Sequence, residues 1–166
     1  MDIDDGTKVI LISSDSKRFE ISAKAAMRSE IIKESILDSK EDEIEFNVNK
    51  VNGDILKKIV EYLEHYKNEE PKEIERPLPS SKFEECVDKW DSDYIDICLD
   101  EIFEIINASN YLDIKPLLEL ASAKMASIMK GKTIEEIKNL FGITNDFTPE
   151  EEQQIIEEDK WCMENL

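Results

Sequence analysis

The chain has 166 residues, 40% hydrophobic and 37% charged, and its 21 basic against 40 acidic side chains leave a formal charge of −19. That length allows one domain, or one domain with an extension, and the apolar share is enough for a core. Such acidity repels nucleic acid and anionic membrane, no stretch approaches the roughly 20 apolar residues of a membrane span, and the charge suits solubility or a basic partner surface.

Residues 9–12 are a short apolar run, followed by the turn-like Ser13-Ser14-Asp15-Ser16 and then residues 18–21. This reads as a β-hairpin leading into a small sheet. Ser22 is placed to cap a short helical piece over 23–27, and Ser29 another over 30–37. A solvated loop, S-K-E-D-E, separates these from I-E-F-N-V at 44–48, whose alternation suits a half-buried strand. Asn52 and Gly53 open the next helix, with Ile55, Leu56, Ile59, Leu63 and Tyr66 as its buried stripe and Lys57, Lys58, Glu61 and Glu64 outside. Strands and helices in this order suggest an α+β unit rather than alternating βαβ repeats. Residues 67–89 hold three of the five prolines and many acids, and are expected to be a flexible insertion or linker ended by Trp90.

The strongest pattern is a helical hairpin over 94–131. Ile95, Cys98, Leu99, Ile102, Ile105, Ile106 and Ser109 recur at three- and four-residue steps, with Phe103 widening the apolar side. Ile114, Leu117, Leu118, Ala121, Met125, Ile128 and Met129 form a second series. Between them Asp113 is expected to accept from the second helix's free N–H groups, with Pro116 in its first turn and Gly131 closing it. Two T-x-x-E capping boxes follow, Thr133 with Glu136 and Thr148 with Glu151, the second with Pro149 at the first helical position. On the last helix Ile155, Ile156, Cys162 and Met163 gather on one side and Trp161 falls away from them. A large ring so placed either covers a core edge or is buried by a partner.

The sequence carries few residues in patterns that point to chemistry. His65 is the single histidine, on a charged helix end, and is expected to face solvent. Gly131-Lys132-Thr133 resembles the end of a phosphate loop, but Ala126 stands where that loop needs glycine and a helix precedes it. Asp2, Asp4, Asp5 and Gly6 have the wrong spacing for a calcium loop, with Ser13 in place of the bidentate glutamate. Asn107 heads a formal glycosylation sequon within a helix. No cysteine pair has zinc-finger spacing, and nothing selects two carboxylates as an acid/base pair. The pattern points to an interaction module rather than an enzyme, with no cofactor and no metal. The acidic start is no secretory signal, and Cys86, Cys98 and Cys162, odd in number and widely spaced, fit a reducing cytoplasm and nucleus.

The motifs N-Y-L-D-I-K at 110–115, M-K-G-K-T at 129–133, E-E-I at 135–137, N-D-F-T-P-E-E-E at 145–152 and W-C at 161–162 resemble the S-phase-kinase-associated adaptor family. V-N-x-x-I-L-K-K at 51–58, the acidic insertion and W-D at 90–91 agree with it. The resemblance implies a BTB/POZ-like fold, a small sheet packed with helices, extended by two C-terminal F-box-binding helices that elongin-C-like relatives lack. It divides the chain into an N-terminal BTB/POZ part at 1–66, the insertion at 67–89, the hairpin completing the domain at 90–130, and F-box-binding helices at 131–166. Two departures touch only local contacts: E-F-N-V-N at 45–49 replaces the family's proline-rich strand, and K-E-I-E-R at 72–76 makes the insertion less uniformly acidic.

By resemblance, Asn110 and Tyr111 match positions that meet a cullin. Phe103, Ile106, Leu118, Met125 and Met129 match positions on the hairpin that pack against an F-box, and Ile137, Phe141, Trp161 and Cys162 match positions that wrap it. Met125 and Met129 stand where relatives often carry branched residues, and either suit a surface accepting many F-box sequences or fill core. Pro149 matches a proline that some protist relatives hydroxylate and glycosylate, or is simply an N1 helix proline. The implied function is a non-catalytic adaptor between F-box substrate receptors and a cullin, reaching a RING subunit and a ubiquitin-conjugating enzyme through the cullin. A scaffold without a cullin is the alternative, and a homodimer is expected when the F-box is absent.

Overall fold

The continuous apolar run of residues 9–12 sets the central strand, whose two sides are unequally buried. Val9, Leu11 and Ser13 of β1 (Lys8–Ser13) are buried on one side, while Ile10 and Ile12 are half-buried on the other. The computed structural model describes residues 8–38, 43–80, 82–144 and 147–164, with side chains as far as residue 160. Asp2, Asp4, Asp5 and Gly6 lie outside them, as do residues 39–42 of the S-K-E-D-E loop, whose Glu43 is the first residue of β3. β2 (Arg18–Ser22) pairs antiparallel with β1, Val9 opposite Ile21, and β3 (Glu43–Val48) pairs parallel with it, Val9 beside Ile44. The parallel pairing requires a crossover, which α1 (Ala23–Ala26) and α2 (Glu30–Asp38) supply. Ser22 and Ser29 cap these helices as expected, accepting from the N–H groups of Ala25 (3.4 Å) and Ile32 (3.3 Å).

α3 (Gly53–His65) starts where expected, Asn52 Oδ1 accepting from Ile55 N–H at 2.9 Å. Its buried stripe includes Tyr62 as well as Ile55, Leu56, Ile59, Leu63 and Tyr66. The β1–β2 turn is tied to this helix start: Asp15 Oδ1 accepts from Gly53 N–H at 2.7 Å, and Lys17 Nζ lies 3.2 Å from Asp15 and 2.9 Å from Asp54. A donated bond from Ser13 Oγ, with these, holds the Asp15 carboxyl down at about 2. A Cβ at Gly53 would meet Lys17 Cδ at 2.3 Å, so a larger residue there would displace the lysine from this pairing.

The helix expected to begin at residue 94 starts later, after a short helix that ends there. α4 (Lys89–Tyr94) ends at Ile95, and α5 (Leu99–Tyr111) starts after an extended Cys98. Asp100 and Glu101 then sit in a first turn, where carboxylates are favoured. Ile95 stays buried within the turn, whereas Cys98, counted in the apolar stripe, is exposed. α6 (Lys115–Met129) completes the hairpin, with Ile102, Ile105, Leu112, Leu117, Leu120 and Ala121 at 2% exposure or less. Asp113 does not cap α6. It has φ +48 and closes α5 as a Schellman motif, its N–H donating to Asn110 O (3.3 Å) and that of Ile114 to Ser109 O (2.8 Å). Pro116 lies in the first turn of α6, and Gly131, φ +79, follows its end.

Among the described residues of 67–89 a short 3-10 turn lies at Phe83–Glu85, with Phe83 buried, and Lys89 opens α4. At the end of this segment α4 is anchored to α3 through rings. Trp90 stacks on the exposed His65 (centroids 3.6 Å apart, planes within 1°) and on Tyr94 (5.1 Å), and Tyr62 lies 4.9 Å from Tyr66. Beneath them Tyr66 Oη donates to Asp91 Oδ1 at 2.8 Å, and Asp91 is only 5% exposed. Burial lifts the Asp91 carboxyl above its ordinary range, partly opposed by the Tyr66 bond.

The folded chain therefore holds this proton more tightly than the unfolded chain does. Asp91's contribution to stability falls as pH rises through the interval between the unfolded and folded values, and is regained on acidification. Tyr66→Phe, which strands a buried carboxylate, is expected to cost about 1–3 kcal/mol in urea unfolding at pH 7. Asp91→Asn keeps an acceptor for Tyr66 and removes this pH dependence, so it should be much milder. An equal loss from both would show that the buried charge carries no penalty.

The chain divides into two compact units, Met1–Lys130 and Gly131–Leu166. In the second, α7 (Ile134–Leu140) opens with the complete Thr133–Glu136 capping box, and α8 (Pro149–Glu164) with the Thr148–Glu151 pair, Thr148 N–H donating to Glu151 Oε2 at 2.8 Å. These bonds hold Glu136 and Glu151 below the usual carboxylate range. Gly142, φ +61, ends α7, and Lys138 Nζ reaches Glu152 at 3.5 Å.

Candidate functional site: two binding faces

The first face is the meeting of the β3–α3 turn with the end of α5. Tyr111 is the last residue of α5 and half-buried, and Lys50 Nζ sits 5.1 Å above its ring centroid. Asn52 Nδ2 donates to Glu104 Oε2 at 2.8 Å, binding turn to helix. A depression of about 440 Å³ lies here, lined in part by Ser14, Lys50, Asn52, Glu104 and Tyr111. Asn110 is exposed next to Tyr111, and Asn107, the sequon residue, lines the depression from α5. An aromatic ring with a polar rim suits a protein surface better than catalysis.

The second face is the outer side of the hairpin. Phe103 is 42% exposed and Ile106 half-buried on α5; Leu118 and Met129 are half-buried on α6. Met125, expected on this face, is 7% exposed and enclosed by the chain itself, so it fills core instead. Small residues, Ser122, Ala123 and Ala126, lie between Leu118 and Met129 and line a groove of about 800 Å³.

Within the second unit Ile137 and Phe141 are half-buried, and Ile134 (74%), Ile143 (54%), Phe147 (56%), Ile155 (42%) and Ile156 (51%) are strongly exposed. Pro149 is exposed at the first position of α8. Trp161 and Cys162 lie on α8, with their side chains outside the described residues.

The model of the Skp1 family tetramerisation domain matches residues 7–68, and that of the Skp1 family dimerisation domain matches residues 115–162. An S-phase kinase-associated protein 1 homolog from Tetrahymena thermophila is 50% identical over 160 residues, covering 95% of each chain. The chain belongs to the Skp1 family. Its small sheet with packed helices is the BTB/POZ-like part of that family, and the α+β class is as expected. Other relatives are similar over the same extent. An E3 ubiquitin ligase complex SCF subunit sconC from Arthroderma benhamiae is 39% identical over 157 residues, 95% of this chain and 96% of its own. Suppressor of kinetochore protein 1 from Schizosaccharomyces pombe is 39% identical over 158 residues, 94% and 98% respectively.

The fold thus gathers Asn110 and Tyr111 at one face and exposes part of Phe103, Ile106, Leu118 and Met129 on the hairpin. Sequence reasoning missed Lys50, Asn52 and Glu104 around Tyr111, because a lysine over a ring is a tertiary contact with no local spacing. It also missed Ile74 and Leu78, which line the α6 groove. Two aliphatic residues four apart within a charged, proline-bearing stretch are too few to set a period.

Proposed function

We propose that the chain is the adaptor of an SCF-type E3 ubiquitin ligase, holding an F-box substrate receptor on one face and a cullin on another. The observation that carries this is similarity over nearly the full length to proteins named as SCF subunits, 39% identical across 95% of the chain. The face at Asn110 and Tyr111 takes the cullin. Phe103, Ile106, Leu118 and Met129 of the first unit and Ile137 and Phe141 of the second, with Trp161 and Cys162, take the F-box.

The second unit supports this on physical grounds. It spans Gly131–Leu166, a length at which a chain rarely buries a sufficient core, and it exposes five large aliphatic or aromatic side chains above 40%. An F-box bundle supplies the missing apolar partner.

Such a part needs no catalytic group. It works by position, raising the effective concentration of substrate near the charged conjugating enzyme, which is reached through cullin and RING subunit. Without an F-box partner the same apolar surface drives self-association, in keeping with the dimerisation and tetramerisation named in the family's domain descriptions. Cytoplasm and nucleus are the compartments this role requires.

Titration of the full chain with a cullin N-terminal domain and with a panel of F-box proteins tests the proposal. Micromolar or tighter binding to both is expected, and binding to neither would end it. A scaffold working without a cullin is the second reading, favoured by the fission-yeast relative's naming for the kinetochore. F-box binding without cullin binding would select it.

A further inference from the structure

The outer side of α6 has a neighbour from the proline-bearing segment. Residues 74–80 run beside it, fixed by Arg76 Nη2 at 2.7 Å from Glu119 Oε1 and by Lys130 Nζ, which donates to the carbonyls of Leu78 (3.0 Å) and Ser80 (3.3 Å). The segment does not lie flat on the helix. Between them the groove of about 800 Å³ remains, with Ile74, Pro77 and Leu78 on one side and Leu118, Ala126 and Met129 on the other.

We propose that residues 74–80 are the outer wall of the F-box docking groove, so that an apolar segment of the F-box protein is held between this wall and α6. The inference rests on the adaptor function proposed above. Three observations carry it. First, the groove is continuous with the docking face, since Leu118 and Met129 belong to both. Second, its volume of about 800 Å³ matches sites that enclose a ligand-sized group, and the small Ala126 in its lining leaves room for an incoming side chain. Third, Ile74 and Leu78 are half-buried and line the groove in a stretch otherwise rich in charge, while Arg76 between them fastens the segment to Glu119.

The fastenings are solvent-exposed and individually weak, so the wall yields to partners of different shape. A wall outside the helices places part of F-box selection in a segment whose composition resembles a linker.

The test measures affinity of the full chain for a purified F-box protein by calorimetric titration, alongside cullin affinity and the thermal midpoint. The double variant Ile74→Ser, Leu78→Ser is expected to bind the F-box protein about tenfold more weakly, with cullin binding unchanged. Leu118→Ala is the control for the α6 face. Should the double variant also lower the thermal midpoint, the charge swap decides: Arg76→Glu weakens F-box binding severalfold, and adding Glu119→Arg restores it. Unchanged or tighter F-box binding in the wall variants, with Leu118→Ala weakened, overturns the wall and leaves the adaptor function standing. Failure of the unmodified chain to bind any F-box protein removes both.

Discussion

Leu117→Ala is expected to lower stability by about 2–5 kcal/mol, while Leu118→Ala, one residue on, leaves the fold nearly intact and weakens F-box binding by about 1–3 kcal/mol. Leu117 is fully buried between α6 and the rest of the hairpin core, and an alanine there leaves a cavity lined by rigid neighbours. Leu118 is half-buried and lines the groove, so its truncation removes surface offered to a partner. Successive helical residues lie about 100° apart, which is why one faces the core and the next the groove. Denaturant unfolding and F-box titration on the same two variants check this. The expected outcome is a crossed pattern, stability lost in one and affinity in the other. Loss of both properties in both variants would mean that α6 has no separate outer face.

Tyr111→Ala is expected to reduce cullin affinity by on the order of 2 kcal/mol, with F-box affinity unchanged. The ring stands at the end of α5, held under Lys50, beside the exposed Asn110. Lys50→Ala should give a smaller loss, about 0.5–1 kcal/mol, by releasing the ring rather than removing it. Paired titrations with cullin and F-box proteins read both effects. If Tyr111→Ala impaired both partners alike, the two faces would not be independent.

Much of the local structure was legible in the sequence because it is decided locally. Ser22, Asn52, Thr133 and Thr148 cap helices where their spacing places them, since a capping oxygen needs only the N–H groups two or three residues on. The strand starting at Lys8 follows from its apolar run and the turn after it, and the apolar stripe of α3 from helical spacing.

Other features depend on contacts distant in sequence. By spacing Asp113 suits a cap for the following helix, but α5 ends there in a left-handed turn, a conformation that aspartate adopts less often than glycine. The break at Ile95 was hidden because Ile95, Leu99 and Ile102 keep helical spacing across it. Burial of Ile95 within the turn preserves the apolar pattern while the backbone leaves the helix.

At the candidate site, Met125 and Met129 are equivalent in spacing, and only packing tells that the first is enclosed and the second half-exposed. The segment before Trp90 reads as a linker by composition, yet Phe83 enters the core and Ile74 and Leu78 face α6. Sparse apolar residues in a polar stretch carry little periodic signal, so their destination is set by tertiary fit.

The central claim is that one chain holds a cullin and an F-box protein at the same time through separate faces. The most direct measurement is the mass of the complex formed when the chain, a cullin N-terminal domain and an F-box protein are mixed and separated by size-exclusion chromatography with light scattering. The account predicts one species containing one copy of each, lost to a binary F-box complex with Tyr111→Ala and to a binary cullin complex with Leu118→Ala at limiting concentration. Displacement of one partner by the other, with only binary complexes at any ratio, would contradict it.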